Sequence, residues 1–525
     1  MQEKDEGMRK PLSDLSSRLF DILIIGAGIN GCATARQLAA DGYDVLLVDK
    51  GDFGGRSTAR SGRVLHCGLQ LLAPRSSVWE YLRRPEELIE RIGMARRTAL
   101  DYAELLGALG PRLRPMHVAV PIYRGGGYSG WQVDLGAWLI RCFCGGRNAF
   151  CYRRWKRPGG APHALAEMFA NREALGSVVS FVDQRFEWPE RIAIDAALDA
   201  EEMGAFIRNY TNVGSLVRRA DNVWQAELTN VPDDGQKITA QARLVLDLAG
   251  VWVDEVIGRV GGAGTIEKKI VCVKGVYVLV RLADKYRGAG VAGHNSIGEP
   301  ITCLPWGDLH YIGPTETLFT RGPEELRPED EDVRFLVQEI NRLLPGIGVG
   351  EDDIVLAWAG LRPITAAPGL PKGKRLPFNV LHDLADEGLE GMMTLSWGII
   401  VHHRSTARRI AAAVAAKIPP SRPSNAFAWL PRQFPARASP LLQPGYPTTL
   451  ADLSFCIDHE HARDLVGVLF SRTGIAWTAG LTRPTLKLAA KTIGDSLGWS
   501  REETATQIHM FIEYMKIHHR YKMLE

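Results

Sequence analysis

The sequence predicts an α/β chain of three parts: a parallel sheet flanked by helices and assembled from separated segments, an antiparallel-sheet part, and a helical end. Three observations predict it. Residues 20–49 read strand, glycine turn, helix, strand. Residues 270–317 alternate short apolar runs with turns, the pattern of antiparallel sheet. Beyond a proline-rich stretch from Pro419 to Pro447, the apolar spacing from Leu450 onward is helical. At 525 residues, 46% hydrophobic and 23% charged, the chain is long enough for two or three globular domains.

The first unit is Phe20-Asp-Ile-Leu-Ile-Ile-Gly-Ala-Gly-Ile-Asn-Gly. Ile22 to Ile25 make a short apolar strand. Gly26, Gly28 and Gly31 make the turn, with Ile29 and Asn30 between them, and Cys32 to about Ala40 continue as a helix. That glycine spacing turns the backbone sharply, admits a pyrophosphate with no Cβ in the way, and lets helix pack closely on strand. The helix N-terminus then offers N–H groups and a positive dipole end to phosphates. A second apolar strand ends at Asp49, 18 residues after Gly31, where a carboxylate accepts ribose hydroxyls and Lys50 follows. The unit is therefore expected to be a Rossmann-like dinucleotide site. The loop after it is rich in glycine and hydroxyls. Ser57, Thr58 and Ser61 are candidates to bond phosphate or ring edges, Arg60 and Arg63 to offset phosphate charge, and His66 stands on the same loop.

The rest follows in order. Residues 86–108 have helical spacing, Arg112 to Tyr123 reads as a strand bounded by prolines, and Trp131 to Cys144 as a helix. Asp195 to Met203 is helical, Ala205 to Tyr210 a strand, and Val213–Val217 with Val223–Leu228 a hairpin. A buried strand from Ala242 ends in a glycine turn at Ala249, Gly250 and Trp252, as if the second nucleotide half returned after a long insertion. Strands are expected at Ile270–Val280, Ile301–Pro305 and Leu309–Glu316, and a helix at Glu331–Leu344. Asp353 to Ile364 reads as a strand running into a proline turn with Arg362 at its tip. Met392 to Gly398 is a strand ending in glycine, and a helix from Ser405 to Ala416 closes the nucleotide domain. The domain map is a disordered lead-in (1–18), a nucleotide domain in three parts (19–110, 185–262 and 351–418), and a substrate domain in two (111–184 and 263–350). A linker (419–448) and a helical C-terminal domain (449–525) complete it.

Composition excludes several classes. A formal charge of +3 gives no support to a nucleic-acid partner. No apolar run reaches the roughly 18 residues that span a bilayer, and the first 18 residues lack an apolar signal-peptide core. Eight scattered cysteines make no disulfide framework, so a reducing cytoplasm is the expected location. Cys142, Cys144 and Cys151 lie close together without a second paired cluster, and no metal site is expected.

On particular motifs the chain resembles the FAD-dependent glycerol-3-phosphate dehydrogenase family, over most of residues 20–416 and more weakly the helical end. They are Gly26-Ala-Gly-Ile-Asn-Gly, Asp52-Phe53, Arg60-Ser61 with His66-x-Gly68-Leu69, and Asp247-Leu-Ala-Gly-Val-Trp-Val-Asp254. Lys274-Gly275, Pro305-Trp306 with Gly313-x-Thr315-Glu316, and Gly360-Leu-Arg362-Pro363 continue the match. The resemblance implies FAD, a flavin domain built from separated segments, an antiparallel substrate domain and a helical cap. The implied cofactor site is Gly26, Gly28, Ile29, Asn30, Gly31, Asp49, Lys50, Ser57, Thr58, Ser61, Val213, Ala249, Gly250, Trp252, Gly398 and Ile399. The chain also departs from the pattern. The family's His-Gly-Gly-Leu-Arg-Tyr-Leu is His66-Cys-Gly-Leu-Gln70-Leu71-Leu here, and its Lys-Gly-Ser-His is Lys274-Gly-Val-Tyr277. Its Gly-Gly-Lys-x-Thr-Thr-Tyr-Arg is Trp397-Gly-Ile399-Ile-Val-His402-His403-Arg404. An arginine and a lysine near a phosphorylated substrate are thus Gln70 and Ile399, while Arg362 is retained. Each lost charge-assisted hydrogen bond is worth roughly 1.5–3 kcal/mol. That tells against glycerol 3-phosphate itself and leaves a small, anionic, polyol-phosphate-like alcohol as the expected substrate.

The implied reaction oxidises a CH–OH group to a ketone, with hydride passing to the flavin and a protein base taking the hydroxyl proton. An imidazole suits the base role, so His66, His402 and His403 are candidates. Tyr277 occupies the place of the family's histidine but, with a usual pKa near ~10, needs a large downward shift. Arg362 is the candidate anion holder. The resemblance implies quinone at a membrane surface, or oxygen, as electron acceptor. Ile508, Phe511, Ile512 and Met515, with Lys516, His518, His519, Arg520 and Lys522 nearby, are expected to pack into the core, a membrane interface being the alternative. A homodimer and a peripheral contact with the cytoplasmic membrane face stay open. So do two other classes: an amine or amino-acid oxidase using Arg362 for a carboxylate, and a flavoprotein that is non-catalytic or modifies a macromolecule.

Overall fold

Strand β1 (Leu19–Ile25), helix α1 (Ile29–Ala40) and strand β2 (Val45–Val48) form the opening unit. The computed structural model describes residues 11–521 except 17, 74–79, 128, 146–149, 157–168, 171, 232–236, 263, 265, 437 and 479, so most of the expected lead-in, and Lys522, lie outside the described residues. Ile22, Leu23 and Ile24 are buried because a parallel strand is covered on both faces. Gly26 turns the chain at φ +101°. Gly31 seats α1 on β1, since a Cβ there would stand 1.8 Å from the Gly26 carbonyl oxygen.

The chain continues through β3 (Val64–Leu65), α2 (Pro85–Leu109), β4 (Leu113–Tyr123), α3 (Gly130–Phe143), β5 (Arg153–Trp155) and β6 (Leu175–Phe186). The Gln132 side chain accepts the Ser129 N–H at 2.7 Å and starts α3. Next come α4 (Pro189–Glu202), opened by a proline that needs no N–H partner there, then β7 (Phe206–Arg208), the hairpin β8 (Thr211–Arg218) and β9 (Trp224–Asn230), and β10 (Lys237–Asp247). The strands β11 (Ile270–Val280), β12 (Ala289–His294), β13 (Pro300–Trp306), β14 (Leu309–Gly313) and β15 (Thr317–Leu318) precede α5 (Asp330–Leu343) and β16 (Ile354–Thr365). After β17 (Val380–Asp383), β18 (Met392–Ser396) and α6 (His403–Ala415), the chain ends in α7 (Leu450–His459), α8 (Arg483–Leu497) and α9 (Arg501–His519).

The described strands make two sheets. The first is ordered β17-β18-β10-β1-β2-β7, with the β8–β9 hairpin attached through β9 to β10. β1 runs parallel to β2 and β10, and its last residue Ile25 lies opposite Val48 and Asp247. Three strands therefore end at one edge, where open parallel sheets bind ligands. The second sheet is ordered β15-β11-β14-β13-β12-β4-β6-β3, with β16 on β11 and β5 on β6. It is antiparallel except for the β12–β4 pair.

Three expectations need correcting. Residues 354–365 fall in the stretch assigned to the nucleotide domain, yet β16 pairs with β11 from Ile270 to Val280 and belongs to the second sheet; so does β3. There is no proline turn at Arg362: the strand continues through Arg362 and Pro363 to Thr365. β16 pairs with β11 alone, and an edge strand tolerates a residue without an N–H. The helical end is interrupted between α7 and α8, where irregular backbone at 460–464 and 473–474 flanks a π-helical turn (Gly467–Arg472) and a short 3-10 turn (Ile475–Thr478).

Buried charge ties this end to the nucleotide unit. Arg191 on α4 donates twice to Glu460, both at 2.6 Å, and Arg472 donates to Asp52 at 2.5 Å. Removing one partner of such a pair strands a desolvated charge, which typically costs about 3–5 kcal/mol. Phe511 and Met515 on α9 are 1% exposed, and the Phe511 ring lies 6.1 Å from that of Phe470. Phe511 and Met515 of the stripe therefore pack inward, with Ile508 and Ile512 half-buried beside them. Among the described residues no helix is long and apolar enough to cross a membrane.

Candidate functional site

A cavity of about 1740 Å³ lies where the C-terminal edge of the parallel sheet meets one face of the second sheet. Ordinary small-molecule pockets hold roughly 300–1,000 Å³, so this one has room for a dinucleotide and a substrate together.

Its nucleotide end is built by the opening unit. Gly26, Gly28, Ile29 and Asn30 line it, whereas Gly31 does not and serves the α1–β1 contact. Gly28 heads α1 with no side-chain cap, and a Cβ on it would meet only the Thr58 hydroxyl at 3.5 Å. Thr58 Oγ1 accepts the Ile29 N–H at 3.0 Å. Asp49, at the end of β2, accepts the Ala27 N–H at 2.6 Å and the Gly51 N–H at 2.7 Å. Burial raises its pKa against the lowering by those bonds. Lys50, Ser57 and Ser61 also line this end, and Lys50 lies 4.3 Å over the Trp252 ring and donates to Glu324 at 2.9 Å. Val213, Ala249, Gly250 and Trp252 form the facing wall, and Gly398 with Ile399 the approach to α6. Arg63 reaches the lining but is buried and bound to Glu190 at 3.1 Å, so its charge is already matched. Among the described residues no group of three or more His, Cys, Asp or Glu could hold a metal ion.

The other end carries cations and an accessible imidazole, His66, and a second exposed imidazole, His294, also lines the cavity. Arg362 on β16 donates to Glu316 at 2.8 Å, and Arg375 pairs with the same carboxylate. Two guanidiniums on one carboxylate leave excess positive charge in the cavity. Lys372 donates to Glu299 and to the Glu316 carbonyl, both at 2.5 Å. His66 has a side chain 44% exposed into the cavity, with Nδ1 3.3 Å from Asp183 Oδ2. Asp183 is held in turn by the Cys67 N–H at 2.9 Å. Tyr277 lines the cavity, stacked on Trp358 with ring centroids 5.1 Å apart. Burial raises its phenol above the usual range although Arg362 opposes that, which disfavours it as a base.

His402 and His403 are not brought to the cavity. His402 is 1% exposed, with Nδ1 2.5 Å from Asp101 and Nε2 3.3 Å from Thr98, so both ring nitrogens are used in joining α6 to α2. His403 bonds the Ile400 carbonyl at 2.7 Å, and burial with Arg404 alongside lowers its pKa to about 3. Neither is placed to take a proton from a substrate in the cavity. Conversely, Asp183, Lys372, Arg375 and Trp397 line the cavity without having been singled out for it from sequence. Asp183 is brought to His66 by the antiparallel pairing of β3 with β6, which sequence spacing does not show.

The residues present fit FAD on two structural grounds: a glycine cradle that a side chain would fill, and a carboxylate at the end of the adjoining strand. Comparison with known proteins agrees. A family model described as "DAO: FAD dependent oxidoreductase" matches residues 21–399. The chain is 24% identical over 563 aligned positions to a Synechocystis glycerol-3-phosphate dehydrogenase, covering 96% of this chain and 97% of that one. It is 26% identical to the aerobic glycerol-3-phosphate dehydrogenase of Staphylococcus saprophyticus, covering 76% of this chain and 67% of that one. Among solved structures it is similar in fold to the Bacillus halodurans glycerol-3-phosphate dehydrogenase complexed with FAD, with TM-score 0.69, 18% identity and 96% of each chain covered. It is also similar to the FAD-bound L-alpha-glycerophosphate oxidase of Mycoplasma pneumoniae, with TM-score 0.58, 16% identity, and 80% and 100% covered.

Proposed function

Because this chain belongs to the FAD-dependent oxidoreductase family, we propose that it oxidises a small secondary alcohol carrying an anionic group to the corresponding ketone. The observation that carries the reading is a single cavity uniting the Gly26–Gly31 turn, the Arg362–Arg375 pair and His66. Gly26, Gly28 and the α1 N-terminus hold the cofactor's diphosphate, and Asp49 holds its ribose. Bound there, FAD supplies a two-electron acceptor for the hydride. Arg362 and Arg375 hold the substrate's anion, with Tyr277 as a neutral donor. His66 accepts the hydroxyl proton, and Asp183 fixes the ring through its contact with Nδ1. Relatives named for glycerol 3-phosphate support a CH–OH donor of this kind.

A flavin-linked acceptor completes the turnover, and we assign it to quinone reached from the cytoplasmic membrane surface. Helix α3 supports this reading. Trp131, Leu135 and Trp138 are exposed on one face, while Gln132, Val133 and Gly136 of the same helix line the cavity. Exposed tryptophans beside leucine suit the membrane–water boundary. Anaerobic mixing of the FAD-loaded protein with polyol phosphates, 2-hydroxy acids and amino acids, followed as loss of flavin absorbance, tests the reaction. Bleaching by anionic secondary alcohols is the expected result, and bleaching by amino acids alone would replace this reading with an amine oxidase. Co-flotation with anionic liposomes, lost in Trp131→Ser/Trp138→Ser, tests the membrane contact. Equal flotation of both proteins would remove it.

A further inference from the structure

The substrate end of the cavity contains a residue that its backbone disfavours. Trp397 adopts φ +49°, a left-handed conformation that side chains other than glycine's rarely take. It lies between β18 and Gly398, lines the cavity, and is 8% exposed. Its N–H donates to the Pro363 carbonyl at 2.7 Å, which sets it beside Arg362. Its ring lies 5.8 Å from that of Phe378, three residues after Arg375. Ile399 packs against the same cluster. The indole Nε1 is buried with no hydrogen-bond partner among the described residues. Glycine would meet the same backbone demand without strain, so the tryptophan is held for its ring.

We infer that Trp397, with Phe378 and Ile399, forms an apolar wall beside the Arg362–Arg375 pair, and that the substrate is an anionic secondary alcohol bearing an aryl or alkyl group. This rests on the function proposed above and narrows it. The anion meets the guanidiniums, the apolar group leaves water against the indole and phenyl rings, and a compact polyol phosphate fills only the charged half. Phosphate and carboxylate serve the arginine pair alike, so the wall rather than the head group sets the class. The step itself balances as before: the carbinol C–H leaves as hydride to FAD, the O–H proton goes to His66, and the carbon becomes a ketone.

The test uses matched pairs with one head group each: glycerol 3-phosphate against its 1-O-hexyl ether, and lactate against 3-phenyllactate. Anaerobic bleaching of the FAD-loaded protein is the readout. The apolar member of each pair, or of the pair whose head group is accepted, is expected to react with kcat/KM at least about tenfold higher, the scale on which a hydrophobic pocket discriminates. Trp397→Gly is expected to bring that ratio toward one, and Trp397→Phe to keep most of it. Should Trp397→Gly fail to hold FAD, Phe378→Ala carries the comparison. Ratios near one in the unaltered protein, or a high ratio unchanged in Trp397→Gly or Phe378→Ala, would overturn the inference. Bleaching by glycerol 3-phosphate alone leaves the proposed function standing and removes the wall. No bleaching by any alcohol, in a protein whose flavin dithionite still reduces, removes both.

Discussion

Gly28 and Gly31 sit three residues apart in one turn, yet alanine should act on them in opposite ways. At Gly31 the new Cβ would stand 1.8 Å from the Gly26 carbonyl oxygen, where real Cβ contacts stay beyond 3.0 Å. Helix α1 must then move off β1 by about 1.2 Å, the difference between those distances. Overpacking of this kind costs typically about 1–3 kcal/mol, occasionally more. At roughly 2–4 °C per kcal/mol in a large domain, that lowers the melting temperature of the cofactor-free protein by several degrees. At Gly28 the nearest atom is Thr58 Oγ1 at 3.5 Å, an ordinary contact, so the fold is untouched. That Cβ instead enters the cradle meant for the diphosphate, and FAD affinity should fall about tenfold or more. Thermal melts of apoprotein and fluorescence titration with FAD separate the two effects. A Gly28→Ala protein that binds FAD like the unaltered chain, or a Gly31→Ala protein with an unchanged melt, would refute the packing argument and the phosphate assignment with it.

Other consequences follow from the same geometry. His66→Ala should slow flavin reduction at saturating substrate by about 10²–10⁴-fold with FAD content unchanged; Asp183→Asn should slow it less and leave KM alone, and stopped-flow traces identical to the unaltered protein's would exclude both roles. Arg375→Met and Arg362→Met should each weaken substrate binding by roughly 10–100-fold, since a charge-assisted hydrogen bond is worth about 1.5–3 kcal/mol; an unchanged half-saturation for flavin reduction would detach the pair from the substrate. His403 has a folded pKa of about 3 against ~6.5 unfolded, so only the unfolded chain takes up a proton between those values. Its contribution is full above about pH 6.5 and is lost as pH falls, by up to ~1.4 kcal/mol per unit. Denaturant melts at about pH 7 and pH 5 should therefore differ less in His403→Gln, and equal differences would contradict it.

What the sequence revealed was the local part of the site. Gly26 to Gly31 and Asp49 belong to one strand–turn–helix–strand unit whose spacing is set by the backbone, and all but Ala27 and Gly31 reach the cavity. The substrate end is assembled across two sheets, and there sequence proximity misleads. His402 and His403 follow Gly398 and Ile399 closely, yet Asp101 and Thr98, about 300 residues earlier, draw His402 into the core. Arg375 meets Glu316 and Asp183 meets His66 only through the fold. Pro363 looked like a turn because prolines usually end strands, whereas β16 is an edge strand and accommodates it. The C-terminal stripe was ambiguous by periodicity alone, since a core face and a membrane face share it; Phe470 on the preceding turn decides it.

The most direct test is the first turnover with a substrate deuterated at the carbinol carbon, mixed anaerobically with the FAD-loaded protein. Transfer of that hydrogen to the flavin predicts bleaching that slows several-fold with deuterium and disappears in His66→Ala on the same time scale. Bleaching at the same rate for both isotopes, or none from any anionic secondary alcohol, would contradict it.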